Sequence, residues 1–368
     1  MAGRALLPDG FAEATIQVSD ERIASITRGI DSQADLRPPG WITPGWIDLQ
    51  VNGAFGFDFT SDSATAAEVG ARLPSTGVTA FLPTLITSPL AAYAPRLRDL
   101  ERAAKESHGA EILGAHLEGP YLSPARAGAH NPAYLRTPDV NELEAWAGSP
   151  RVRIVTLAPE LPGALDLVQR LRARGIIISA GHSAASHAQA LAGFRAGMTW
   201  GTHLFNAMPP FNHREPGLIG ALLSSEVPCG LIVDGVHVHP AAVKTAYRAK
   251  GARGITLVTD AMAAMGMRPG RYPLGDREVM VNATSARLAD GTLAGSTLQM
   301  DAAIRNVIDY TGCSLAEAVT MASATPARVL GLERKGCIAP GNDADLVVLD
   351  ESLRVEMTIA RGAVVYAR

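Results

Sequence analysis

Eight short apolar runs, about thirty residues apart and separated by stretches of helical periodicity, leave this chain few architectures. They are Gly45–Val51, Val78–Pro83, Ile112–Glu118, Val152–Ala158, Gly175–His182, Thr199–His203, Cys229–His237 and Ile255–Asp260. Between most of them lie segments rich in Ala, Leu and Arg, such as Leu165–Ala173 and His187–Ala196. Eight strand–helix repeats within roughly 280 residues argue for a closed parallel barrel over an open doubly wound sheet. No GxGxxG follows the first run and no Walker-type loop occurs, so a nucleotide-binding fold has little support. The expected fold class is α/β, a (β/α)8 TIM-like barrel.

The two ends of the chain read differently. Ala14–Val18 and Arg22–Ile26 near the start, and Asp345–Leu349, Thr358–Ile359 and Gly362–Tyr366 near the end, are short strand candidates between turns. Chain termini often lie close together, so the ends can pair into one small sheet domain. The expected division is residues 1–44 with 335–368 for that domain and 45–334 for the barrel. After Asp260 the repeat breaks. Met262 to Gly295 is rich in Gly, Pro and Met, with a hairpin expected around Tyr272–Asn282, and it could serve as a lid over the barrel mouth.

Bulk properties exclude several classes of function. The net charge is −3 and no run of Lys or Arg stands out, so nothing points to nucleic acid. No apolar stretch approaches the roughly 18 residues that a membrane span needs, and Met1–Pro8 has too short an apolar run for a signal peptide. Cys229, Cys313 and Cys337 are too widely spaced for a zinc knuckle or a disulfide framework. Reduced thiols in a cytoplasmic protein are the expectation.

Chemistry concentrates where the runs end. Glu118 closes the third, in His116-Leu-Glu-Gly-Pro120, and alone could be a structural ion pair. Isolated buried carboxylates are costly, so it calls for a metal, a cation or a set of hydrogen bonds. His182 and His203 close the fifth and sixth runs. Either alone would be a core histidine; two on consecutive strand ends beside a glutamate read as metal ligands. Two imidazoles and one carboxylate leave an open position on zinc, the catalytic pattern. The chain has nine histidines, so chance clustering keeps some weight. Asp260 closes the eighth run, where it could pass a proton from a water to a leaving amine or merely cap a helix. His130 lies in the loop after the third run, placed to polarise a carbonyl or to stabilise the loop. Arg214, with His237 or a neighbouring histidine, would make an anion pocket at the rim, although arginine on a solvated loop is commonplace.

Several motifs together carry a resemblance: Pro44-Gly-Trp-Ile-Asp-Leu-Gln-Val-Asn-Gly53, His116-Leu-Glu-Gly-Pro120, Gly181-His-Ser183, Thr202-His-Leu-Phe-Asn-Ala-Met208, Arg214-Glu-Pro-Gly217, Asp234-Gly-Val-His237, Val258-Thr-Asp260 and Leu293-Ala-Gly-Ser296. The chain resembles the N-acetylglucosamine-6-phosphate deacetylases of the amidohydrolase superfamily over nearly its whole length. The resemblance implies a barrel with a small β-sandwich from both ends, acting on a phosphorylated amino sugar. Its metal ligands would be Glu118, His182 and His203, its acid/base Asp260, and its contact to the acetyl carbonyl His130. Substrate contacts would come from Ala129, Asn206, Ala207, Arg214, His237 and Leu293-Ala294-Gly295, with Arg214 and His237 on the phosphate. A cytoplasmic homodimer with shared active sites is implied as well. Where many relatives carry His-x-His, this chain has Gln50-Val51-Asn52. Amides are poor zinc ligands beside imidazole, so one divalent metal per subunit is expected, zinc before other divalent ions. Rival readings are another amidohydrolase (a cyclic amidase, a deaminase or an N-acyl-amino-acid deacylase) and a non-catalytic metal-binding barrel.

Overall fold

The structure, a computed structural model, describes residues 1–142, Ser149 and 151–368. Eight parallel strands follow one another in the order of the chain: Trp46–Val51, Val78–Ile86, Ala115–Glu118, Val152–Leu157, Ile177–Ala180, Met198–Gly201, Cys229–Leu231 and Ile255–Leu257. The ring closes between the last strand and the first. A parallel bridge joins Val51 to Ala261, the Asp260 amide donates to the Gln50 carbonyl, and the Asn52 amide donates to the Ala261 carbonyl. Each of the eight expected runs supplies one strand, so the chain is a (β/α)8 barrel.

Burial explains why those runs form strands. Every residue of Trp46–Val51 and Val78–Ile86 is buried, as strands covered by helices outside and side chains inside must be. Helices such as Ala164–Ala173 turn Leu167, Val168 and Leu171 onto the barrel. Helix His187–Ala196 starts at a reciprocal cap between Ser186 and Gln189 and stops at Gly197, whose φ is +128°. Gly77 has φ +85°, and a Cβ there would stand 2.4 Å from the ring of the fully buried Trp46. Only glycine fits that turn.

The chain ends make one seven-stranded sheet. Ala2–Leu7, Gly10–Ser19, Arg22–Arg28 and Trp41–Pro44 join Leu346–Leu349, Val355–Ala360 and Ala363–Ala367, with Trp41–Pro44 pairing Leu346–Leu349 as the seam between the two ends. Arg22 also bridges Asp343, which curls the sheet over a core that includes Ile16, Ile23, Ile42, Leu346 and Ile359. Lys335 ties this sheet to the barrel: its Nζ lies 2.8 Å from Glu111, 3.1 Å from Asp343 and 2.7 Å from Asp345.

The insertion after Asp260 forms three antiparallel strands, Gly270–Leu274, Arg277–Val281 and Ala286–Arg287. Leu274, Val279, Ala286 and Leu288 pack with Met262 and Ile86 in a separate small core at the barrel mouth. Its hairpin turn is pinned: Asp58 accepts from the Gly275 amide, and Asn131 donates to Asp276.

Candidate metal centre

Glu118 is the last residue of the third strand, while His182 and His203 stand two residues past the ends of the fifth and sixth. All three are buried. Glu118 Oε1 is 3.0 Å from His203 Nε2 and 3.3 Å from His182 Nε2, and the two imidazole nitrogens are 3.1 Å apart. With zinc–ligand bonds of about 2.0–2.2 Å, the edge of a ligand tetrahedron is about 3.3–3.6 Å. Three donors at 3.0–3.3 Å from one another therefore fit around one small cation. His182 Nδ1 faces the Arg126 carbonyl at 2.9 Å. A proton donated there leaves Nε2 bare toward the cluster, as metal-ligating histidines require.

His130 is a neighbour of this set. Glu118, His130 and His182 all offer atoms within 4.8 Å of one another. His203 is nevertheless nearer the carboxylate than His130, 3.0 against 3.7 Å, so distance favours His203 as the third donor. His130 Nδ1 lies 3.3 Å from the Thr87 amide that donates to it, which puts the ring proton on Nε2. Burial, then the neighbouring His182, pushes His130 down to about 4, so the ring is neutral at pH 7.

Charges in the cluster compensate. Burial would raise Glu118, but the imidazoles of His130, His182 and His203 around it hold it well below the usual carboxylate range. Burial would lower His203, and the Glu118 carboxylate outweighs that and raises it. At Asp260 the balance falls the other way: burial, then the charge of Glu118, pushes it up to about 6 against His203, His237 and the Asn52 hydrogen bond. Its Oδ1 accepts from Asn52 Nδ2 at 2.7 Å, and Gln50 Nε2 donates to Glu118 Oε1 at 3.0 Å. Gln50 Oε1, Asn52 Oδ1 and His203 Nδ1 are buried without a partner among the described residues. His116, beside Glu118 in sequence, is a core histidine. Its ring meets the Leu49 carbonyl and Thr156 Oγ1, and burial lowers it to about 4.

These groups open into a cavity of 400 Å3, within the range of small-ligand sites. Glu118, His130, His182, His203 and Asp260 line it together. So do Ala129, Asn206, Ala207 and His237, and from the insertion Leu293 and Gly295. His237 is oriented by Asp234, whose carboxylate meets its Nδ1 at 2.7 Å. Ala294 instead packs into the insertion's own core. Arg214 is exposed and lies outside the lining. Reasoning from sequence named Gln50 and Asn52 only as poor metal ligands, not as the amides that hold the carboxylates, and it missed Arg287, Thr292, Leu274 and Ile86 in the wall. Arg287 stands between apolar Ala286 and Leu288, a pattern too short to single that arginine out in advance.

The Amidohydrolase family model matches residues 41–365. The N-acetylglucosamine-6-phosphate deacetylase of Bos taurus is 45% identical over 341 residues, covering 88% of this chain and 83% of its own. The crystal structure of the Thermotoga maritima N-acetylglucosamine-6-phosphate deacetylase is similar at 37% identity and TM-score 0.92, over 99% of this chain and 98% of that one. An aspartate-to-alanine mutant of the Mycobacterium smegmatis deacetylase, in complex with N-acetyl-D-glucosamine-6-phosphate, aligns at 35% identity and TM-score 0.93, over 100% of this chain and 98% of that one.

Proposed function

This chain belongs to the amidohydrolase family and, within it, to the N-acetylglucosamine-6-phosphate deacetylases, and from that premise we propose how its residues hydrolyse N-acetylglucosamine 6-phosphate to glucosamine 6-phosphate and acetate. The observation that carries the reading is the convergence of Glu118, His182 and His203 at 3.0–3.3 Å in a cavity that also holds Asp260. Those three residues would hold one divalent ion per subunit, zinc by the chemistry of the donors. Such an ion, when bound, would polarise a carbonyl and bring the pKa of a water down to about 7. Gln50 and Asn52 keep a second ion weak or absent, because their amides engage the two carboxylates instead.

Asp260 takes the proton of the attacking water. Its raised pKa makes it a better base than an ordinary aspartate and lets it return the proton to the amine nitrogen as the C–N bond breaks. His130, neutral with its proton on Nε2, donates to the acetyl oxygen as negative charge develops there. Ala129, Asn206, Ala207 and the Leu293-Ala294-Gly295 segment would position the sugar. His237, fixed by Asp234, and Arg214 would bind the phosphate. Arg214 is exposed in the single chain, which fits a homodimer in which each subunit completes the other's site. Free Cys229, Cys313 and Cys337 fit a cytoplasmic protein.

The test is acetate release from a panel of N-acetylated hexosamines, with and without the 6-phosphate, after chelation and metal add-back. Activity should vanish on chelation, return with one equivalent of metal, and favour the phosphorylated glucosamine derivative. Asp260→Asn should lose at least about 100-fold in kcat with metal content unchanged. A loss of only severalfold would remove Asp260 from the role of base.

A further inference from the structure

The substrate proposed above brings a phosphate carrying about −1.5 to −2 charges at pH 7 into a cavity already lined by Glu118 and Asp260. Among the described residues that line this cavity, Arg287 is the one permanent cation. Its position follows from strand alternation. Ala286 and Leu288 point into the insertion's core, so the residue between them faces the other way, and that side is the cavity wall.

Arg287 is exposed, yet two of its side-chain nitrogens are already engaged. Its Nε donates to Ser285 Oγ at 3.2 Å and its Nη1 to the Gly291 carbonyl at 2.8 Å. A bridge to Leu293 ties its backbone to the segment that lines the same wall. No carboxylate lies within ion-pair distance of it among the described residues, and Nη2 carries no hydrogen bond there. A guanidinium engaged on one edge and open on the other is partly preorganised for an oxyanion, because some of its side-chain entropy is already lost before binding.

We propose that Arg287 binds the 6-phosphate of the sugar, so that the insertion over the barrel mouth supplies a phosphate ligand from the substrate's own subunit. This rests on the deacetylase reading and sharpens it. The cation in cis selects for the phosphorylated sugar, whatever Arg214 contributes from a second copy. His237, in the loop after the seventh strand and so beside the eighth that leads into the insertion, would share the load.

The experiment compares the assembled, metal-loaded wild type with Arg287→Ala, Arg287→Lys and Arg214→Ala. Each is assayed for acetate release from N-acetylglucosamine 6-phosphate and from N-acetylglucosamine. A charged hydrogen bond of this kind is worth roughly 10- to 100-fold in affinity. Arg287→Ala should therefore cut the ratio of kcat/KM between phosphorylated and plain sugar by roughly 10- to 100-fold, with the change in KM rather than kcat. Arg287→Lys should fall between, since lysine keeps the charge without the fork. If Arg287→Ala damages both substrates alike, the arginine only braces the hairpin and the proposal is overturned. An unchanged ratio overturns it equally. A wild type with no preference for the phosphorylated sugar would instead defeat the functional reading itself, which the wild-type ratio reports independently of any variant.

Discussion

Asn52 offers the sharpest probe of how the acid/base group is tuned. Its Nδ2 donates to Asp260 Oδ1 at 2.7 Å, and both side chains are buried. Burial and the charge of Glu118 raise Asp260 to about 6, while the Asn52 hydrogen bond works against them. A hydrogen bond to a charged group is worth about 1.5–3 kcal/mol, and one pH unit corresponds to about 1.36 kcal/mol. Asn52→Leu, branched at the same carbon but without the donor, should thus raise the Asp260 pKa by about 1 to 2 units. The sign is fixed by the role. The base must be ionised, so turnover rises with pH through its pKa, and losing a stabiliser of the anion moves that rise to higher pH. A bound cation stabilises the same carboxylate and draws the limb down in both proteins. The displacement between the two is therefore the quantity to read. The assay is kcat for acetate release at saturating substrate across about pH 4.5 to 9, with metal content measured in parallel. An acidic limb that stays in place while metal is retained would refute the assignment of that limb to Asp260.

Three further outcomes follow from packing and charge. Glu118→Gln keeps the shape but not the charge of the central donor, so metal analysis should find little bound ion, and metal should no longer raise the melting temperature. Lys335→Met strands Asp345 and Asp343, which are largely buried, and Glu111, which is about a third exposed. Removing one partner of a buried ion pair costs about 3–5 kcal/mol, toward the low end here because Glu111 is partly solvated; denaturant midpoints should show the loss at pH 7 and its shrinkage as acid protonates the carboxylates. Gly77→Ala combines a left-handed backbone with a Cβ 2.4 Å from Trp46, so guanidinium unfolding should report a loss of about 2–4 kcal/mol.

The barrel was legible because its strands are buried on both faces and so appear as unbroken apolar runs; Val78–Ile86 is the plainest case. Glu118, His182, His203 and Asp260 could be found because a polar residue ending such a run has no solvent to explain it. What lay beyond reach depends on distant parts of the chain meeting. Asn52 and Asp260 are 208 residues apart, and Gln50 and Glu118 are 68 apart, and no local pattern announces either contact. Arg287 sits on a two-residue strand, too short for alternation to separate a wall residue from a solvated one. Arg214 could be named from its motif, yet the fold of one chain leaves it in solvent. The place proposed for it in a site rests on assembly, which a single sequence does not encode locally.

One regularity of the backbone joins these findings. His182, His203 and Asp260 have φ of +47°, +27° and +48°, and Phe205 and Ala207, just after His203, have +79° and +52°. Left-handed conformations in residues with a Cβ cost on the order of 1–3 kcal/mol each and persist only where the surroundings over-determine them. The surroundings here are the barrel ladder itself. The Asp260 amide is held by the Gln50 carbonyl, the Leu204 amide by Gly230, and the Ser183 amide by the Ala207 carbonyl. Glycine would relieve the strain at each position, but it carries no imidazole or carboxylate. The turn also frees these residues from the strict in–out alternation of a strand, so three separate strands can aim a side chain at one point regardless of register. The strain is thus the cost of convergence, and it should be smallest to bear when a cation draws His182 and His203 toward Glu118, with Asp260 facing them. Metal-free protein should accordingly exchange the amides of residues 182–183, 203–207 and 260–261 faster than the loaded form, while the amides of Val78–Ile86 stay equally protected. Equal exchange at the rim in both forms would mean that the ladder alone holds the site in shape.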